Sequence, residues 1–151
     1  MKKLTAIILA TALLLSLAGC NFNGMFSDST GTKEMEAKQQ VTDMLEALAN
    51  KDLEAALALM HPDVLADAEK KADVTEKLQQ MMNYLNGRKS LAEEQQNLNV
   101  RSGNGTSGAY KQENAAFKIT LEDETVYVAV LYLTQNGSSG FTSYQLVLGV
   151  V

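Results

Sequence analysis

Apolar positions after residue 32 follow a helical period first and an alternating period later. Between Lys33 and Asn50 they recur at i, i+3, i+4 and i+7, with charged residues elsewhere on the helical wheel. The stripe consists of Val41, Met44, Leu45 and Leu48. This spacing is typical of an amphipathic helix that buries one face.

A second helix is predicted to begin after Asp52, which is a suitable N-cap. Pro62 disfavours helical backbone at the residue before it, so this helix should end at His61 or earlier. The segment from Asp63 to Lys71 is compatible with a short helical turn. The apolar stripe of the second helix comprises Leu53, Ala56, Leu57 and Met60.

The third sizeable helix carries start and stop signals of its own. Asp73 and Glu76 form a D-x-x-E variant of the capping box, and Gly87 provides a C-terminal stop. Between these signals one side of the helix is apolar. Its members are Val74, Leu78, Met81, Met82 and Leu85.

Beyond Arg88 the pattern predicts four strands in an up-and-down meander. The predicted strands cover residues 92–101, 117–121, 125–134 and 141–151. The connections are a glycine-rich loop over 102–108, a tight polar turn over 122–124 and an Asn136-Gly137 turn.

The segment from Thr125 to Thr134 is apolar at both odd and even positions, so it should be central and covered on both faces. The helices can cover one face. The other needs a partner subunit, a ligand or further curl of the sheet, and we therefore expect a homodimer through the sheet. The predicted fold class is α+β, with N-terminal helices packed on a curved four-stranded antiparallel sheet.

The first nineteen residues have the pattern of a secretion signal. Lys2 and Lys3 precede fifteen uncharged residues from Leu4 to Ala18. As a helix, this run spans about 22 Å, which is less than the ~30 Å hydrocarbon thickness that a permanent span must cross.

The stretch Leu17-Ala18-Gly19-Cys20 resembles the lipobox of bacterial prolipoproteins. That resemblance implies diacylglycerol on the Cys20 thiol, palmitate-type acylation and cleavage before this cysteine. We expect a lipid-anchored protein on the extracytoplasmic face of a membrane, with residues 21–32 as a flexible tether. In enteric lipoproteins, an aspartate directly after the lipidated cysteine keeps the protein at the inner membrane. This chain has Asn21 at that position, so we expect the outer membrane if the cell has one.

Composition restricts the partners of the mature chain. The 151 residues are enough for one domain, and removal of Lys2 and Lys3 takes the formal charge from −5 to −7. Because the acidic surface repels phosphate backbones, we expect no nucleic-acid binding. The single cysteine cannot form an internal disulfide.

The phrase from Leu48 to Leu57, which runs into Met60-His61-Pro62-Asp63, resembles the nuclear-transport-factor-2-like and cystatin-like α+β superfamily. The resemblance covers residues 33–151. It implies a cone in which helices fill the concave side of the sheet, often with a pocket and often as a dimer. That superfamily contains enzymes, binding proteins and small lipoproteins, so the fold alone does not assign a function.

His61 is the only histidine, which excludes a multi-histidine metal site. Because Pro62 follows it, we expect His61 at a helix terminus, where the imidazole bonds the last carbonyls. The alternative is an acid–base residue inside the cone. Asp63, Asp67 and Glu69 lack the ordered loop of a calcium site, so we predict neither a metal nor a cofactor.

Two further patterns bear on function. The sequence Gln145-Leu146-Val147-Leu148-Gly149 matches the Q-x-V-x-G motif of cystatins, but it lies in a predicted strand rather than a loop. Tyrosine side chains combine an apolar body with a polar tip, which suits a ligand pocket. The candidate pocket residues are Tyr84, Tyr127, Tyr132 and Tyr144.

From these features we expect a non-enzymatic domain that binds a small ligand or an envelope protein. The alternatives are a hydrolase, lyase or isomerase that uses His61, and a purely structural interaction module. A roomy cone with His61 inside favours an enzyme. A filled cone with an apolar exposed sheet face favours an interaction module.

Overall fold

The computed structural model describes residues 34–122 and 124–148, with only the backbone of Leu148. The predicted signal, Cys20 and the tether lie outside the described residues, as do Lys33 and the last three residues. Helices come first and strands follow. The elements are α1 Lys38–Ala49, α2 Leu53–Ala58, α3 Pro62–Ala66, α4 Ala68–Leu85, β1 Gln95–Gly105, β2 Gly108–Leu121, β3 Glu124–Gln135 and β4 Ser138–Leu148.

The strands form one antiparallel sheet in the order β1-β2-β3-β4, which confirms the predicted meander and the α+β class. β2 and β3 pair without interruption, whereas irregularities interrupt the pairing of β1 with β2 and of β3 with β4. The sheet is not strongly curled. The cone implied by the superfamily resemblance is therefore not confirmed.

One hydrophobic core lies between the helices and one face of the sheet. The predicted α1 stripe is fully buried in it, together with the inward side chains of β2, β3 and β4. On β3 the inward residues alternate as the two-residue period of a strand requires. They are Val126, Val128, Val130 and Tyr132. No described helix is both long and apolar enough to cross a membrane.

The start of α4 differs from the predicted capping box. α4 begins at Ala68, and its N-cap is Asp67, whose carboxylate accepts hydrogen bonds from the N–H groups of Glu69 and Lys70. Asp73 lies inside the helix and pairs with Lys77 at 2.7 Å. The prediction of Asp73 as N-cap is wrong because Asp67, in extended backbone, offers an earlier cap that also separates α3 from α4.

Asp67 makes the stability of the fold depend on acid pH. The N–H of Lys70 bonds its carboxylate and lowers the pKa of Asp67. A lowered folded-state pKa contributes stability above the unfolded pKa of about 4 and loses it as the pH falls through the lowered value. We expect Asp67→Asn, which keeps a capping oxygen, to flatten the fall in denaturation midpoint below about pH 4. An equally steep fall in the denaturation midpoint of wild type and Asp67→Asn below about pH 4 would contradict this.

The loop predicted over residues 102–108 is wrong. β1 continues to Gly105 and β2 starts at Gly108, so the connection is a tight turn at the end of a long hairpin. Cross-strand pairing runs through this small-residue stretch because Gly103 packs under the Tyr110 ring and Gly108 adopts a φ of +99°. The turns near Glu122 and at Asn136-Gly137 lie where they were predicted.

Candidate functional site

His61 lies between α2 and α3 and is 2% exposed. Its Nδ1 accepts a hydrogen bond from the Asp63 N–H at 3.2 Å, which makes His61 the N-cap of α3. A helix terminus was predicted, but the ring bonds the start of the following helix rather than the end of the preceding one. The reason is that Pro62 occupies the first position of α3 and leaves the next amide in need of an acceptor.

The hydrogen bonds of His61 fix the orientation of its ring and its backbone. Because Nδ1 accepts from an amide, the proton of the neutral ring must be on Nε2. Nε2 is buried and has no hydrogen-bond partner among residues 34–122 and 124–148. The backbone is also occupied, since the His61 N–H donates to the Phe141 carbonyl at 2.9 Å. The imidazole therefore acts here as a buried cap.

Replacement of His61 tests this structural role. We expect His61→Ala to lower the free energy of unfolding by about 1–2 kcal/mol, because the cap is lost and a small cavity opens. His61→Asn keeps a capping oxygen, so it should lose about half as much or less. Chemical denaturation of both variants measures the difference. An asparagine variant as unstable as the alanine variant would contradict the capping role.

The four candidate tyrosines do not meet at one place. Tyr132 and Tyr144 are buried on the helix side of the sheet, and each contacts Phe141 edge-to-face, at ring-centroid distances of 5.0 and 5.1 Å. The Tyr144 hydroxyl donates to the Val41 carbonyl at 3.0 Å. Burial raises the pKa of Tyr144 well above its usual value, so this hydroxyl stays protonated. This pair belongs to the core.

Tyr84 lies near the C-terminal end of α4. The Arg88 guanidinium stacks over its ring at 5.0 Å and donates to its carbonyl at 2.7 Å. Burial raises the pKa of Tyr84, and the nearby Glu124 carboxylate raises it further. Tyr127 is half-buried on the face of β3 that is opposite to Tyr132. The tyrosine pocket therefore stays a prediction. Its four residues lie at three separate places in the fold.

The second face of the sheet, here named the open face, consists of the strand side chains that point away from the helices. On β3 these are Tyr127, Ala129, Leu131 and Leu133, an apolar strip whose three larger members are half-buried. Ala116 and Val147 flank the strip and are buried, although neither belongs to the core cluster. Thus the central strand was correctly predicted to be apolar on both faces, but the described helices cover only one.

Polar side chains around the apolar strip are nearly all amides or hydroxyls. The strand pairing places them on the same face as the strip, on β1, β2 and β4. They include Gln96, Asn99, Gln112, Asn114, Ser143 and Gln145. The charged members are Arg101 and Lys118, and no strand residue of the open face carries a carboxylate. In a chain of net negative charge, this face is therefore neutral to weakly basic.

Of three cavities lined by described residues, two are small. A depression of ≈ 150 Å³ on the open face is lined by Asn99, Arg101, Gln112, Asn114 and Leu131. A second of ≈ 110 Å³ lies between α4 and β4. A wider groove of ≈ 460 Å³ runs along the start of α1, where Lys38 pairs with Glu34. None of these three has His61 in its lining.

A polar cluster that the sequence reasoning missed holds the start of the domain to the sheet. Glu113 is 4% exposed and accepts from the Glu36 N–H at 3.2 Å, while Lys111 lies 2.7 Å from the Glu36 carboxylate and 3.5 Å from that of Glu113. Hydrogen bonding to Glu36 raises the pKa of Lys111. The available signal was the charged pair Lys111 and Glu113 at inward-facing positions of β2.

Gln95 completes this attachment by accepting from the Met35 N–H at 2.6 Å, and the Met35 side chain is buried in the core. Met35 and Glu36, close to the predicted tether in the sequence, are thus part of the folded domain. Among the described residues, no three histidine, cysteine or acidic side chains are grouped so as to hold a metal ion.

Comparison of the chain with protein-family models, with curated proteins and with solved structures finds no match.

Proposed function

We propose that this chain is a lipoprotein anchored to a membrane through Cys20, and that its folded domain binds an envelope protein over the open face without catalysing a reaction. The observation that carries the proposal is the half-exposed apolar strip of β3, on a face whose described strand residues carry no carboxylate. The Glu93 carboxylate, which accepts from the Thr120 hydroxyl, reaches this face only at its margin. Partially exposed apolar surface with a polar rim is the usual composition of a protein-binding surface.

The size of the cavities favours a protein over a small ligand. Pockets for small molecules usually enclose about 300–1,000 Å³ and bury most of the ligand. The depression on the open face, at ≈ 150 Å³, is smaller than that. The wider groove at α1 is lined mainly by charged and polar side chains, of which Lys38 pairs with Glu34 and Gln39 donates to Asp43.

The enzymatic alternative has less support. His61 is buried, one ring nitrogen caps α3, and the other is enclosed by protein. A general base must be within hydrogen-bonding distance of its substrate. The order of helices before a meander supports a relationship to the nuclear-transport-factor-2-like and cystatin-like superfamily, which we keep as part of the proposal. A core packed with side chains suits the binding proteins of that superfamily better than its enzymes.

The anchor is tested separately from the binding face. We expect wild-type protein to fractionate with membranes and to carry acyl mass on Cys20, and Cys20→Ala to carry none and to lose lipid-dependent attachment. Mass spectrometry of the N-terminal peptide and membrane fractionation provide the readouts. Equal fractionation of both proteins, with no acyl mass on the wild type, would remove the lipoprotein assignment.

The open face is tested by photo-crosslinking in cells. A photoreactive amino acid at Leu131 should form a discrete adduct with an envelope protein, whereas the same group at the exposed Gln79 of α4 should not. The identified partner should then bind the purified chain about tenfold or more weakly after Leu131→Glu, because a charged group replaces apolar surface that binding would remove from water. Adducts that are absent, or identical from both positions, would contradict binding over the open face.

A further inference from the structure

β1 is an edge strand with a free side. It pairs with β2 from Asn99 to Gly105 without interruption, and within residues 34–122 and 124–148 no segment pairs with the other side of this stretch. The backbone groups on that side are therefore open to another strand. Such an edge is a template for β-strand addition.

The two edges of the sheet differ in protection. At β4, the Phe141 N–H donates to the Leu59 carbonyl and its own carbonyl accepts from His61, so the chain between α2 and α3 covers part of that edge. The free stretch of β1 has no proline and no lysine. Its only charge is Arg101, and Val100 is 43% exposed there. Natural edge strands usually carry stronger protection against pairing.

We propose that the β1 edge pairs with β1 of a second copy of this chain, antiparallel about a two-fold axis, to give a continuous eight-stranded sheet. This surface is distinct from the open face used in the proposed function. A two-fold axis at Ser102 uses the whole uninterrupted stretch from each copy. Ser102 then lies opposite Ser102 of the second copy, and Arg101 lies opposite Gly103 of the second copy.

The β1 edge is the place where two acidic copies repel each other least. The mature chain is strongly acidic, and acidic residues occur in every described helix or at its cap, so two copies repel each other over the helical side. From Gln95 to Gln112 the chain contains no acidic residue. An antiparallel pair across the two-fold axis is self-complementary, because each copy presents the same backbone groups to the other.

The first test places a thiol on the axis. In the full chain with Cys20→Ala, so that the new thiol is the only one, Ser102→Cys should form an intermolecular disulfide about tenfold faster than Ser139→Cys. Both are exposed strand serines, and Ser139 is on the opposite edge. Equal rates would overturn the proposal. In cells, an adduct of Ser102→Cys with a different protein would assign the edge to that protein and overturn the second copy.

The second test uses charge on the axis and sedimentation in detergent. Ser102→Glu and Ser102→Lys should each weaken self-association about fivefold, because like charges face each other, and a mixture of the two should recover it as a heterodimer. The same changes at Ser139 should have no effect. An unchanged thermal unfolding midpoint shows that each variant folds. A monomeric wild type, or a mixture that does not recover association, would overturn the proposal.

Discussion

Phe141→Ala should lower the free energy of unfolding by about 4 kcal/mol. Phe141 is completely buried, and its ring contacts both Tyr132 and Tyr144 edge-to-face. Removal of the ring leaves a cavity where the helices meet β4, and Tyr144 loses a neighbour that helps to hold its hydroxyl on the Val41 carbonyl.

Urea denaturation of Phe141→Ala and of two control variants measures this effect. Phe141→Leu keeps most of the volume and should lose about 1–1.5 kcal/mol. Leu91 is 65% exposed, so Leu91→Ala should change stability by less than about 0.5 kcal/mol. A loss below about 2 kcal/mol for Phe141→Ala would show that this ring does not hold the helices to the sheet.

Gly140→Ala should destabilise the fold by about 3 kcal/mol for a different reason. A Cβ at Gly140 would lie 2.5 Å from the His61 backbone nitrogen and 2.6 Å from the Met60 carbonyl carbon. Backbone cannot move aside as the end of a flexible side chain can. The two hydrogen bonds that join Phe141 to Leu59 and His61 would have to lengthen or break.

Gly137→Ala is the matched control for this contact. Gly137 has a φ of +76° and open space at the Cβ position, so alanine there meets backbone strain but no clash. The expected loss is about 1 kcal/mol. Denaturation midpoints should therefore fall more for Gly140→Ala than for Gly137→Ala. The reverse order would mean that the space beside the His61 backbone has room for a side chain at position 140.

Phe141→Ala and Gly140→Ala also distinguish an effect on stability from an effect on binding. Both change the place where the chain between α2 and α3 is hydrogen-bonded to β4. The His61 backbone and imidazole both form hydrogen bonds there. If the open face binds the partner, as proposed, the variants should reduce the amount of folded protein rather than the affinity of the folded fraction. A binding titration at a temperature well below each unfolding midpoint measures that affinity.

The period of the apolar residues was sufficient to predict the elements and their order. The α1 stripe and the α4 stripe are buried, and the meander runs as predicted. When one face of a helix or strand is buried, its apolar residues repeat with the period of that element. The ends of elements were less accurate. Asp67 and Asp73 are both suitable N-caps for α4 by residue type. The extended backbone of Asp67 makes it the N-cap in the structure.

Side-chain direction across the sheet could not be read from residue type. Tyr127 and Tyr132 differ by five positions on β3, and an odd separation places them on opposite faces. Lys111 and Glu113 were not recognised as an attachment point because their partner Glu36 is distant in the sequence. Such contacts depend on how the chain returns to the sheet after α1.

By itself, the sequence determined the α+β class and the apolar character of β3 on both faces, because these depend on local composition and spacing. The resemblance of residues 17–20 to a lipobox also comes from local spacing, and the anchor that it implies stays a prediction. Only the tertiary structure decided that His61 is a buried cap and, within residues 34–122 and 124–148, that the helices cover one face of the sheet and that β1 pairs on one side alone. These properties arise from contacts between segments far apart in the chain, and no local pattern encodes which of two equally apolar faces receives the helices.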